Sequence, residues 1–131
     1  MKLLLDTHVI LWSLLAPERL SARAAAELES PRTELWVSPI SAWEIALLAE
    51  RGRLDIDGDP ETWPREALLK VPAREAPFTI EIALLSRLVP LPHQDPADRF
   101  LAATALAHDL VLLTADSRLL ECARIPTLAA A

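Results

Sequence analysis

The chain has 131 residues, 52% of them hydrophobic, with two glycines, eleven prolines and one cysteine. That length fits a single domain over residues 1–131 with one core, while the lone Cys122 excludes an internal disulfide or a thiolate metal cluster and fits a reducing cytoplasm. A net charge of -6 argues against a general nucleic-acid binder, two glycines are too few for a phosphate-binding loop, and no run approaches the roughly 18–20 apolar residues that span a membrane.

In chain order, Leu3–Leu5 reads as a short buried strand that delivers Asp6 at its end, followed by a helix over about His8–Leu15. Ser21 suits the N-cap of a second helix, Ala22–Glu29. Glu34–Val37 reads as a strand; Ser38 and Pro39 then open a helix running to about Arg51. Leu54–Pro64 has turn chemistry, Arg65–Lys70 is helical, Ala73–Ala76 is extended, and a helix runs from Thr79 to about Leu88. Asp95-Pro96 opens a long helix ending near Asp109; Leu110–Leu113 is a strand, Ser117–Ala123 a helix and Ile125–Leu128 a last strand. Short apolar strands without polar alternation, separated by helices, indicate an α/β fold: a parallel sheet covered on both faces. In such sheets ligands bind outside the carboxyl ends of the strands, where strand order reverses.

Four acids bear on that edge. Asp6 follows the first strand, where capping the next helix would explain it, although Thr7 can share that task. Glu44 is the only charged residue between Pro39 and Ala49, on a helical stripe with Ile40, Leu47 and Leu48; a buried carboxylate there must be paired, protonated or metal-bound, unless the helix turns it to water. Asp98 stands in the first turn of the helix capped by Asp95, above a stripe of Leu101, Ala102 and Ala105, with small residues at 102, 103, 105 and 107 for close packing. Asp116 follows LVLLT and can cap the helix at Ser117. Each position has an ordinary capping explanation, but a doubly wound topology brings all four to one edge of the sheet. Carboxylates clustered there repel unless protons or cations intervene, and hard oxygen ligands suit Mg²⁺ or Mn²⁺. Two such ions, roughly 4 Å apart, serve phosphodiester cleavage.

Three blocks, LLLDTHVILW, VSPISAWEIALL and HQDPADRFLAATALAHDLVLLTAD, resemble the PIN-domain ribonucleases and, within them, the VapC-like toxins of bacterial type II toxin–antitoxin pairs. The resemblance covers essentially the whole chain, and the order and spacing of the blocks make it specific. It implies a flavodoxin-like α/β/α sandwich and a magnesium- or manganese-dependent endoribonuclease. It also implies catalytic, metal-binding acids at Asp6, Glu44, Asp98 and Asp116, the last at a position where relatives also carry asparagine. Thr114 matches a strand-end hydroxyl of the family. The implied partners are an RNA substrate (a tRNA or ribosomal RNA loop), a cognate antitoxin covering the acidic groove, and a second copy in a homodimer. Metals would supply positive charge at the scissile phosphate, while Arg99 or Arg118 either holds flanking phosphates or pairs with Asp95 or Asp116. A non-catalytic RNA- or partner-binding module with structural acids is the alternative.

Other features point elsewhere or nowhere. His8, His93 and His108 do not have metal-triad spacing, and structural or solvated roles suit them, although His93 could touch a phosphate. DIDGDPETWPRE resembles a calcium loop, but Pro60 takes the place of the required glycine. Trp12, Trp36 and Trp43 suit core or dimer packing, leaving Trp63 as the tryptophan to test for base stacking. An aspartyl phosphatase would want a second acid where His8 stands, and a phospho-receiver a late lysine, whereas the only lysines are Lys2 and Lys70.

Overall fold

The computed structural model describes residues 1–131. Its elements are β1 (Lys2–Leu5), α1 (Thr7–Leu15), α2 (Ala22–Glu29), β2 (Glu34–Val37), α3 (Pro39–Glu50), α4 (Trp63–Leu69), β3 (Arg74–Glu75), α5 (Ile80–Leu85), α6 (Pro96–Ala107), β4 (Val111–Thr114), α7 (Ser117–Leu120) and β5 (Thr127–Ala129). All five strands are parallel and lie in the order β3-β2-β1-β4-β5. The three-layer parallel α/β architecture expected from the sequence is present.

Side-chain alternation along β1 splits the core into two layers. Leu4 and Leu112 face Ile82, Leu101, Ala102, Ala105 and Leu119 of α5, α6 and α7. Leu3, Leu5, Leu35 and Leu113 face Val9, Ile10, Ala24 and Ile45 of α1, α2 and α3. Both layers are fully apolar, so central strands buried on both faces carry no polar alternation. Truncating a fully buried leucine such as Leu4 would cost about 2–5 kcal/mol. Ala102, Ala103 and Ala105 have no exposed surface, so their small size lets α6 lie directly on the sheet.

Helix ends follow the capping chemistry of their residues. Ser21 accepts from the Ala24 amide, Ser38 from Ile40, and Asp95 from both Ala97 and Asp98. α3 closes on Gly52, whose φ of 66° lets the Arg53 amide reach back to Leu48. The end of α6 repeats that motif with Asp109 at φ 54° and a Leu110 to Ala105 bond.

Elements under weaker local control differ from expectation. The segment 79–88 yields helix only over Ile80–Leu85 before dissolving into turns, and β3 has two residues. Trp63 begins α4 instead of lying in the preceding loop and packs against the core, whereas Trp43 of α3 is 62% exposed, which removes the core option for it and leaves dimer packing. No helix is long and apolar enough to cross a membrane.

Candidate metal centre

Sheet order reverses beside β1: the chain winds outward through β2 and β3, then crosses back to β4 on the other side. Asp6 leaves the end of β1, and its amide bonds to Leu113 O (3.0 Å), continuing the β1–β4 pairing by one residue. Asp116 leaves the end of β4, Asp98 sits in the first turn of α6, and Glu44 stands midway along α3. Asp6, Glu44, Asp98 and Asp116 line one cleft of about 300 Å³, together with Asp95, His8, Trp12, Ala115 and Arg118. A larger groove of about 860 Å³ near α3 and α4 shares no residue with it.

The four acids are held differently. Asp6 is buried, and the fully buried Thr114 hydroxyl donates to its Oδ2 at 2.6 Å. Thr7 Oγ1 donates to Glu44 Oε1 at 2.5 Å and shares a hydrogen bond with the Ser41 hydroxyl, 2.9 Å away. His93 Nε2 lies 2.9 Å from Asp98 Oδ2, and Arg118 Nη2 approaches the same oxygen at 3.3 Å. In each of these three acids a neighbouring side chain tethers one oxygen while the other accepts no side-chain hydrogen bond, the Thr7 backbone adding a weaker contact at Asp6. Asp116 is satisfied on both sides: Oδ1 accepts from the Arg118 amide and Nε, and Oδ2 from Arg118 Nη2 at 2.9 Å.

Electrostatics separates the same groups. Burial pushes the Asp6 carboxyl above its ordinary range, opposed by the Thr114 hydroxyl and His8. Burial likewise raises Glu44, with Thr7 opposing and the Asp6 and Asp95 charges adding to the rise. Asp98 is pushed up to about 6, first by burial and then by repulsion from Asp95, Asp6 and Asp116, against the His93 hydrogen bond. The Arg118 guanidinium holds Asp116 below the usual carboxylate range. Three acids are therefore electrostatically under-compensated, each with a hard oxygen to spare, which is the chemistry of a divalent-cation site. Their fit to Mg²⁺ or Mn²⁺ lies in this donor set. No three acid or histidine side chains are drawn together as a finished coordination shell, so binding an ion would require rotation of side chains across the cleft.

Of the other residues singled out from the sequence, Thr7, Thr114, Asp95 and Arg118 line or adjoin the cleft and Arg99 does not. Thr7 and Thr114 are tethers, and Asp95 combines an exposed N-cap role with a position on the cleft wall. Arg118 pairs with Asp116, one of the two partners expected for it, and also with Asp98, which was not. Arg99 takes neither of the roles expected of it. Its guanidinium is buried on backbone carbonyls, touching no acid and unable to reach a phosphate in solvent. Sequence reasoning did not assign three contributors to the places they take here. Ser41 lies one helical turn before Glu44, a spacing that could have flagged it. His93 flanks the Asp95 cap and folds back on Asp98. Trp12, one turn after His8, joins the cleft wall and carries the Arg19 guanidinium 4.5 Å from its ring centre.

The PIN domain family model matches residues 3–125. This chain belongs to the PIN-domain family. It is 37% identical over 117 residues to Ribonuclease VapC22 of Mycobacterium tuberculosis, covering 88% of each sequence. Among solved structures, VapBC2 of Rickettsia felis bound to a promoter DNA fragment superposes with a TM-score of 0.73 at 13% identity over 100% of both chains. VapBC-1 of nontypeable Haemophilus influenzae gives 0.68 at 18% identity over 98% of each, and FitAcB of Neisseria gonorrhoeae 0.64 at 21% over 96% of each. These structural likenesses establish the fold. The cleft at the strand ends is thus the acidic edge of a VapC-like PIN domain.

Proposed function

We propose that this PIN domain is an endoribonuclease, the toxin of a type II toxin–antitoxin pair, dependent on Mg²⁺ or Mn²⁺. The carrying observation is the shared pattern of Asp6, Glu44 and Asp98: one oxygen tethered by a side chain, the other free of side-chain donors, all in one cleft. The ribonuclease name of its 37% identical relative supports the activity. The toxin–antitoxin complexes among its structural neighbours supply the analogy for a cognate antitoxin.

Asp6, Glu44 and Asp98 would hold the metal, with Asp116 as a weaker contributor because Arg118 already neutralises it. Bound there, one or two ions would activate water and offset charge on the leaving oxygen of a phosphodiester. Thr7, Thr114 and His93 keep each carboxylate aimed. Arg118, half exposed at the rim, can exchange its acids for a backbone phosphate flanking the cut, and Trp12 and His8 offer a wall for a nucleotide. A negative chain can therefore accept RNA, since the cation is brought to the site. By analogy with relatives, the substrate is a tRNA or ribosomal RNA loop and the working unit a cytoplasmic homodimer.

A module that binds RNA or a partner through structural acids is the second reading. It draws on the full pairing of Asp116 and on the absence of a preformed coordination shell. The two separate when purified protein, free of antitoxin, is incubated with total RNA in Mg²⁺, Mn²⁺ or EDTA. Endonuclease products with either metal, lost in EDTA and in Asp6→Asn, are expected; intact RNA under every condition would leave the binding module.

A further inference from the structure

Arg99 is 4% exposed, yet its guanidinium meets no carboxylate. Nε donates to Ser86 O at 2.9 Å, Nη1 to Leu91 O at 2.9 Å and His93 O at 3.1 Å, and Nη2 to Arg87 O at 3.2 Å and Val89 O at 3.1 Å. Residues 86–93 lie outside helix and strand, and Pro90 and Pro92 have no amide hydrogen to offer. Carbonyls that an irregular segment turns inward need donors, and a planar five-donor fork supplies them from one side chain.

The last carbonyl in that series belongs to His93, whose Nε2 reaches Asp98 Oδ2 with both side chains 13% exposed. His93 Nδ1 is buried without a partner, which fits the tautomer with the proton on Nε2: the hydrogen is given to Asp98 and a bare lone pair is left behind. Asp98 and Arg99 are consecutive on α6, so one residue holds the loop and the loop returns a donor to its neighbour. Arg118 also touches Oδ2, but 52% exposure and a longer contact make it the looser restraint.

We propose that Arg99 and His93 are positioning residues of the acidic cleft: Arg99 fixes segment 86–93, and His93 pins Asp98 Oδ2 so that Oδ1 is presented to a divalent cation. This rests on the metal reading of the cleft given above. The partners that orient metal ligands typically change affinity about 10–100-fold when removed.

The test is calorimetric titration of Mn²⁺ into wild type, His93→Ala and His93→Gln, each verified as folded by thermal unfolding. His93→Ala is expected to bind Mn²⁺ at least about tenfold more weakly, with His93→Gln recovering most of that loss because its amide N–H can replace Nε2–H. Unchanged affinity in His93→Ala, or an equal loss in His93→Gln, would overturn the role of His93 while leaving the metal site standing. No Mn²⁺ binding by wild type would remove the metal reading and this inference together. Arg99→Lys, with three donors for five carbonyls, is expected to stay folded, to speed amide exchange within 86–93 and to weaken Mn²⁺ binding. Unchanged exchange, or wholesale unfolding, would overturn the role of Arg99.

Discussion

Replacing Asp98 by asparagine should stabilise the metal-free protein while disabling it. The Asp98 carboxyl is raised from 3.8 to about 6, chiefly by burial. Discounted for solvent screening, that rise costs the ionised folded form about 1–3 kcal/mol. Below pH 3.8 the folded and unfolded chains both carry the proton and the site costs nothing. Between 3.8 and about 6 the folded chain holds more protons than the unfolded one, so stability falls as pH rises; above 6 the full cost persists. Asparagine keeps an acceptor for His93 and removes the repulsion from Asp95, Asp6 and Asp116, while the exposed Arg118 contact it weakens is worth about 1 kcal/mol or less. In EDTA at pH 7.5, urea unfolding should therefore show Asp98→Asn about 1–3 kcal/mol more stable than wild type, with the gap closing toward pH 4. Mn²⁺ at about a hundred times its dissociation constant should stabilise wild type by about 2.7 kcal/mol and the variant far less. A variant no more stable than wild type at pH 7.5, or a gap independent of pH, would refute this reasoning.

Asp116→Asn should lower Mn²⁺ affinity much less than Asp6→Asn, measured by the same calorimetry, because Arg118 already saturates the Asp116 oxygens. Thr114→Val, which fills the same space without the hydroxyl, should lose about 1–2 kcal/mol in urea unfolding and weaken Mn²⁺ binding, since Asp6 Oδ2 loses its donor. Trp63→Ala should destabilise by about 1–3 kcal/mol, since the ring is partly buried, whereas Trp43→Ala should stay within about 0.5 kcal/mol in the isolated chain.

The legible parts of this fold are those governed by neighbours in sequence. Ser21, Ser38 and Asp95 announce helix starts because a cap is satisfied within three residues, and Leu3–Leu5 and Leu112–Leu113 announce double-sided burial by lacking alternation. The strand-end acids were legible for the same reason, since a carboxylate directly after an apolar strand has few places to go in a parallel sheet. Legibility fails where distant groups decide. α3 is apolar on nearly every side, so nothing local reveals that Ser41, Ile45 and Ala49 face inward and Trp43 faces out. Arg99 looks like a surface cation beside the cleft acid Asp98 until carbonyls up to thirteen residues away claim all its donors. His93 is uninformative by spacing because an irregular, proline-rich segment brings it back onto Asp98.

The most direct measurement is anomalous diffraction from crystals of the antitoxin-free protein soaked in Mn²⁺. A manganese peak in the strand-end cleft, with oxygens of Asp6, Glu44 and Asp98 turned onto it at roughly 2.1 Å, is the expected result. An empty cleft at saturating Mn²⁺, with the Thr7, Thr114 and His93 contacts unchanged, would contradict it.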